Sequence, residues 1–205
     1  MHNDVRRRAL WAAVALVAAA CAGPRPAPVA PAAPGAAPET AAAATAPPAP
    51  PPEVPTRPSL GLFSQIRAPT EVEPAFELAG AGVQIFRCEP DKDGYRWAFR
   101  LPEAELRDAR GQVVAHHGAN YSFEHVDGSR LLGTIVGYDS APGDDAVRWL
   151  LLRTQSFGQG ELEKVSYVQR VDTAGGLPPA QCSAEQANQI LRVPFSAKFV
   201  FYRPR

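Results

Sequence analysis

From residue 59 onward, short β-prone runs alternate with turn signals at close spacing, which is the pattern of an all-β sandwich or barrel. The runs are 82–88, 95–100, 112–116, 121–126, 130–138, 147–157, 162–172 and 193–202. Asp93-Gly94, Arg110-Gly111, Asp127-Gly128 and Gly158-Gln159-Gly160 fall between them and predict tight turns, where glycine reaches positive φ without steric cost. In the last run Phe195, Ala197, Phe199 and Phe201 share one face, opposed by Ser196, Lys198 and Tyr202 with only Val200 intruding. Trp149-Leu150-Leu151-Leu152 is apolar on both faces, which predicts a centrally placed strand. One short helix is expected over 184–190, opened by Ser183 and Gln186 as a capping box. A further helical turn is expected over 102–106.

The chain before residue 59 has a different texture. Arg6-Arg7-Arg8 precedes an apolar run that begins at Ala9 and includes Leu10, Trp11, Val14, Leu16 and Val17, and Ala18-Ala19-Ala20-Cys21 follows. This is the order of an export signal. The apolar run is about a dozen residues, short of the roughly 20 that span a bilayer. Ala-Ala-Ala-Cys resembles the bacterial lipobox, with Ala18 in place of the usual leucine. The resemblance implies lipidation of Cys21 and, with Ala22 following, the outer membrane facing the periplasm. The alternative is an ordinary secretory signal and a soluble periplasmic or secreted product. Beyond Cys21, twelve of the 22 prolines fall between Pro24 and Pro55 among alanines. Such a segment lacks periodicity and favours extended polyproline II. The expected organisation is a signal peptide at 1–20, a disordered Pro/Ala-rich tether at 21–58, and one β-domain at 59–205.

Charge removes one class of partner. The precursor has 21 basic and 21 acidic side chains. Loss of residues 1–20 takes three arginines and Asp4, leaving 18 against 20. A net of −2 gives no electrostatic reason to expect nucleic acid. With Cys21 assigned to lipid, Cys88 and Cys182 remain, most simply as a disulfide in an oxidising compartment. Two buried thiols or a metal pair are the other readings, and neither cysteine has a CxxC or a histidine nearby in sequence.

His116, His117 and His125 cluster with Glu124 and Asp127, a set able in residue type to bind zinc. Strand alternation, however, sends His116 and His117 to opposite faces. Ser129, His117 and Asp127 have the residue types of a nucleophilic triad, without a nucleophile turn such as GxSxG. Gly80-Ala81-Gly82 resembles the start of a dinucleotide fingerprint, but it leads into a strand and lacks the third glycine. Arg170 could hold a carboxylate or phosphate bidentately, with Asp172 beside it in the same polar stretch.

The ordered motifs of the domain resemble the family DUF3455, found in bacteria and secreted fungal proteins and without an established function. The resemblance runs through Gly82-Val83-Gln84-Ile85-Phe86-Arg87-Cys88, Pro102-Glu103-Ala104-Glu105-Leu106, Gly111, His117 and Asp127-Gly128-Ser129. It continues through Trp149-Leu150-Leu151-Leu152, Gln169-Arg170-Val171-Asp172-Thr173-Ala174-Gly175-Gly176, Cys182 and Val193-Pro194-Phe195-Ser196-Ala197-Lys198-Phe199. After the histidine the family usually shows Gly-Pro-Thr-Trp, where this chain has Asn120-Tyr121-Ser122-Phe123. His117 and Asp127 match positions typical of the family.

The expected function is a non-catalytic binding or structural module of the cell envelope, with no cofactor and no metal. Its partners would be the membrane through the anchor, and an envelope protein or a small ligand. The rival is a secreted hydrolase or metal-dependent enzyme built around His117 and Asp127. Convergence of His117, Asp127 and Arg170 in a lined pocket would favour the rival; dispersal onto turns would count against it.

Overall fold

The computed structural model describes residues 55–205; the expected signal peptide, Cys21 and nearly all of the expected tether lie outside them. Eight antiparallel strands follow one another: β1 (Val72–Asp91), β2 (Gly94–Arg107), β3 (Val113–Gly118), β4 (Ser122–His125), β5 (Arg130–Asp139), β6 (Trp149–Phe157), β7 (Tyr167–Gly175) and β8 (Ile190–Pro204). Each pairs with the next, and β8 pairs back onto β1 from Val72↔Pro204 to Arg87↔Ile190. Of the two expected all-β architectures the chain adopts the closed barrel, which leaves no sheet edge running the length of the domain.

The core fills the barrel. Phe195, Ala197, Phe199 and Phe201 point inward from β8 and meet Leu78, Leu106, Phe123, Leu131, Leu150 and Leu152. The outer face carries ion pairs such as Glu77–Lys198 and Glu103–Arg192. Apolar inside and charged outside is the reverse of a membrane-spanning barrel.

Gly94, Gly111, Gly128, Gly158 and Gly160 all hold positive φ at the expected turns. The two expected helical segments are corrected. Ser183 N–H does donate to the Gln186 side chain at 2.9 Å, but only the 3-10 turn Ala184–Gln186 follows. Ala187 leaves helical geometry at ψ 131°, Asn188 turns left-handed at φ 67°, and Ile190 enters β8. Residues 102–106 lie in β2, where Pro102 opposes Gln84 and takes the place of a ladder donor that no strand on its other side requires.

Trp149-Leu150-Leu151-Leu152 has another explanation than central placement, because a closed barrel has no centre. Leu150 and Leu152 enter the core, while Leu151 joins a second apolar layer on the outside. That layer is made by the chain that precedes β1. Leu60, Ile66 and Ala68 cover Leu151, Val171, Val200 and Tyr202. The strap is tied by Gln65 N–H and the Ser64 hydroxyl donating to Asp139, at 3.0 and 2.6 Å. Val200 is therefore apolar because it lies under the strap. Cys88 and Cys182 form a disulfide that joins β1 to the β7–β8 connection.

Candidate functional site

The barrel has two different ends. The lower end carries the β2–β3, β4–β5 and β6–β7 connections; the upper end carries the other four. The expected site residues divide between them.

Asp127 lies in the lower β4–β5 turn. Its Oδ1 accepts from the Ser129 hydroxyl at 2.6 Å and from Ser129 N–H at 2.8 Å, and its Oδ2 accepts from Glu161 N–H at 2.8 Å. His125 Nδ1 stands 2.9 Å from Oδ2. The Ser129 hydroxyl and the Glu161 N–H, in that order, hold the carboxyl well below the usual carboxylate range. The Ser129 oxygen also accepts from Leu162 N–H at 3.2 Å. These bonds pin the β6–β7 connection, which inserts Leu162 and Val165 into the bottom of the core. The carboxylate and hydroxyl are committed to closing the barrel. Ser129, His117 and Asp127 form no triad, because His117 sits at the other end of the β3–β4 hairpin.

His117 closes β3 from inside the barrel, opposite Ala104 and Phe123. Its ring stacks on Phe123 at 4.5 Å and is tilted against Phe199 at 5.3 Å. Nδ1 is 2.9 Å from the Ser122 carbonyl; a carbonyl only accepts, so Nδ1 carries the hydrogen. Burial, helped by the charge on Arg170, lowers the imidazole to about 4. The neutral ring therefore presents a bare lone pair at Nε2, which has no partner among the described residues. His116 points outward opposite Glu124, as alternation requires, and among the described residues no three ligating side chains converge on one point.

Arg170 also points inward, from β7, and is only 6 % exposed. Its Nε and Nη2 donate to the Arg148 carbonyl at 3.2 and 2.8 Å. No carboxylate pairs with it among the described residues, and burial pulls the guanidinium down to about 10. Asp172, two positions on, would share its face in a regular strand. Instead two residues, Asp172 and Thr173, oppose Ala197 alone, and Asp172 is left-handed at φ 50°. This bulge turns the carboxylate outward to Lys198, 3.6 Å away. Arg170 and Asp172 are thus separated by the barrel wall.

Two inward groups were not singled out by sequence. Gln84 is buried on β1 with its amide nitrogen unpartnered, beneath Gly176, where a Cβ would crowd Val147, Phe195 and Gln84 itself. Tyr121 lies 6.4 Å from the His117 ring, in a turn where Asn120 and Tyr121 are both left-handed at φ 54° and 51°. A polar residue on the inner face of a strand is the signal that would have found Gln84, once the apolar parity of β1 is fixed by Leu78. His117, Arg170, Tyr121 and Gln84 make the upper barrel interior polar, whereas the lower half is hydrocarbon.

Residues 69–203 match the family described as Protein of unknown function (DUF3455). The chain belongs to that family. No curated protein and no solved structure matches it. Within this DUF3455 barrel the segments that carry the resemblance fall at defined places. Gly82 to Cys88 forms the upper half of β1, Gln169 to Gly176 spans the β7 bulge, and Asp127-Gly128-Ser129 forms the lower latch. The departure at 120–123 falls on the left-handed turn and on Phe123, the ring stacked against His117.

Proposed function

We propose that the protein is a non-catalytic, ligand-binding β-barrel presented in the cell envelope by a lipid on Cys21 and the Pro/Ala tether. Arg170 carries the binding reading. A buried guanidinium without a carboxylate partner costs several kcal/mol, and nothing in packing asks for a charge there. A barrel selected for stability alone would place methionine or leucine at this position. His117, with its unpartnered lone pair, and Gln84, with its unpartnered amide, point the same way: polar groups held ready inside an apolar shell are the ordinary composition of a small-molecule site. The hydrolase reading gains nothing from the geometry, since Asp127 and Ser129 are consumed by the lower latch.

The test is Arg170→Met. If the charge is held for a ligand, its removal raises the apparent Tm in ligand-free buffer by about 2–6 °C. A fall in Tm would make Arg170 a structural residue and remove the basis of the proposal.

A further inference from the structure

The barrel wall is incomplete at its upper end. β2 pairs with β3 only from Ala104 to Arg107, and β5 pairs with β4 only from Arg130 to Leu132. The β3–β4 hairpin stops at the turn Ala119–Tyr121, so residues 94–103 and 133–139 continue with no ladder partner on the edges that flank the gap. Two strands are absent between them. At roughly 4.8 Å per strand spacing, the notch is about 14 Å across.

Inward-facing side chains at this notch are open to solvent. Ile135 opposes Leu152 and Tyr138 opposes Leu150, both core residues, and directly opposed residues share a face. Phe99 opposes Phe86 and packs edge-on against it at 5.7 Å. Yet Phe99, Ile135 and Tyr138 are 45, 38 and 50 % exposed. Apolar side chains on the inner face with that exposure line a mouth.

One inner row of side chains runs from this mouth to Arg170. Tyr138, Leu150 and Arg170 are successive partners across β5, β6 and β7, on one inner row. Arg148 links the two ends of that row: its guanidinium lies 4.8 Å over the Tyr138 ring, and its carbonyl receives Arg170. The acid that follows Tyr138, Asp139, turns outward to the strap. The combination is one buried cation at depth, a second at the rim, and hydrocarbon between them.

We infer that this notch admits an apolar monocarboxylate, its carboxylate meeting Arg170 and its hydrocarbon body lying against Phe99, Ile135 and Tyr138. The inference rests on the binding role proposed above and adds the ligand class. A single buried positive charge matches a single negative one. A compact dianion such as phosphate would leave its second charge at depth, with Arg148 out at the rim over Tyr138. His117 Nε2 accepts and cannot donate, so it does not share the carboxylate; Gln84 Nε2 is an unpartnered donor on the inner face at this end.

The experiment is calorimetric titration of the mature Cys21→Ala chain with octanoate, octanol and acetate. Octanoate is expected to bind about tenfold or more tightly than either octanol or acetate. Arg170→Met abolishes the advantage over octanol, and the paired change Phe99→Ser and Tyr138→Ser abolishes the advantage over acetate. Equal binding of acetate and octanoate would overturn the apolar body; equal binding of octanol and octanoate would overturn the carboxylate contact. Either result leaves a binding barrel standing with another ligand. If no probe binds, the ligand class is overturned, and the Tm of Arg170→Met decides separately whether the binding role falls with it.

Discussion

Asp127 and Gly160 share one small volume at the lower end of the barrel: a Cβ on residue 160 would overlap the Asp127 carboxylate. Gly160 also holds φ +138°, a conformation open only to glycine. Gly160→Ala must therefore either displace the carboxylate or change the turn, and in both cases the connection bearing Leu162 and Val165 loosens. Urea denaturation is expected to show a loss of about 2 kcal/mol or more. A variant as stable as the parent would mean that the latch does not close the core.

The same carboxylate gives an acid-sensitive component. Its folded pKa lies below the ordinary value because the Ser129 hydroxyl and Glu161 N–H favour the charged form. The stabilisation is therefore present above the unfolded value of about 4 and disappears as pH falls towards the folded value. Asp127→Asn is expected to be less stable at neutral pH and to lose less on acidification below pH 4. Tm measured from pH 7 to pH 2 checks both slopes.

His117 acts in a separate window. The unfolded imidazole takes up a proton near 6.5 and the buried one only near 4, so the unfolded chain binds the extra proton between them. Stability is constant above the upper value, falls on acidification through the window by on the order of 3 kcal/mol, and levels off below the lower value. His117→Phe keeps a ring against Phe123 and is expected to flatten that part of the profile. Unfolding free energies at pH 7, 5.5 and 4.5 would reveal it; an unchanged slope would mean that His117 is reached by water.

Much of this was legible because strand alternation and turn chemistry are local. Phe195, Ala197, Phe199 and Phe201 announce an inner face whatever closes the sheet, and Asp127-Gly128 announces a turn with no knowledge of its neighbours. Sandwich and barrel differ only in the pairing of β1 with β8, more than a hundred residues apart, which no local pattern encodes. The same holds for the site. Arg170 and His117 are visible as residue types, but their burial follows from barrel closure, and the outward turn of Asp172 follows from a bulge set by the two-against-one pairing with Ala197. The helix expected over 184–190 failed because its capping box is real while the residues after it are drawn into β8.

The anchor makes a prediction of its own. If Cys21 accepts lipid, cells given labelled palmitate will label the parent protein and leave Cys21→Ala unlabelled, and the variant will partition to the soluble fraction. Identical behaviour of the two would leave an ordinary exported protein, with the barrel and its upper site unaffected.

The strap offers the sharpest test of the outer layer. Gln169 is fully buried outside the barrel, where its Nε2 donates to the Ile66 carbonyl and its Oε1 accepts from the Tyr202 hydroxyl, both at 2.6 Å. Burial pushes the Tyr202 phenol up to about 12, so it remains a donor at every working pH. Gln169→Leu keeps the volume but strands a carbonyl and a hydroxyl in a closed apolar layer, at about 1–3 kcal/mol each. Tyr202→Phe alone strands Gln169 Oε1 and is expected to cost about 1–3 kcal/mol, but in the Gln169→Leu background it removes a hydroxyl that has already lost its partner. Adding Tyr202→Phe to Gln169→Leu should therefore restore part of the lost stability instead of deepening the loss. If the two losses simply add in urea denaturation, the glutamine is not the link between strap and barrel, and the strap is held by Ile66 with its apolar neighbours and by the Ser64 and Gln65 bonds to Asp139.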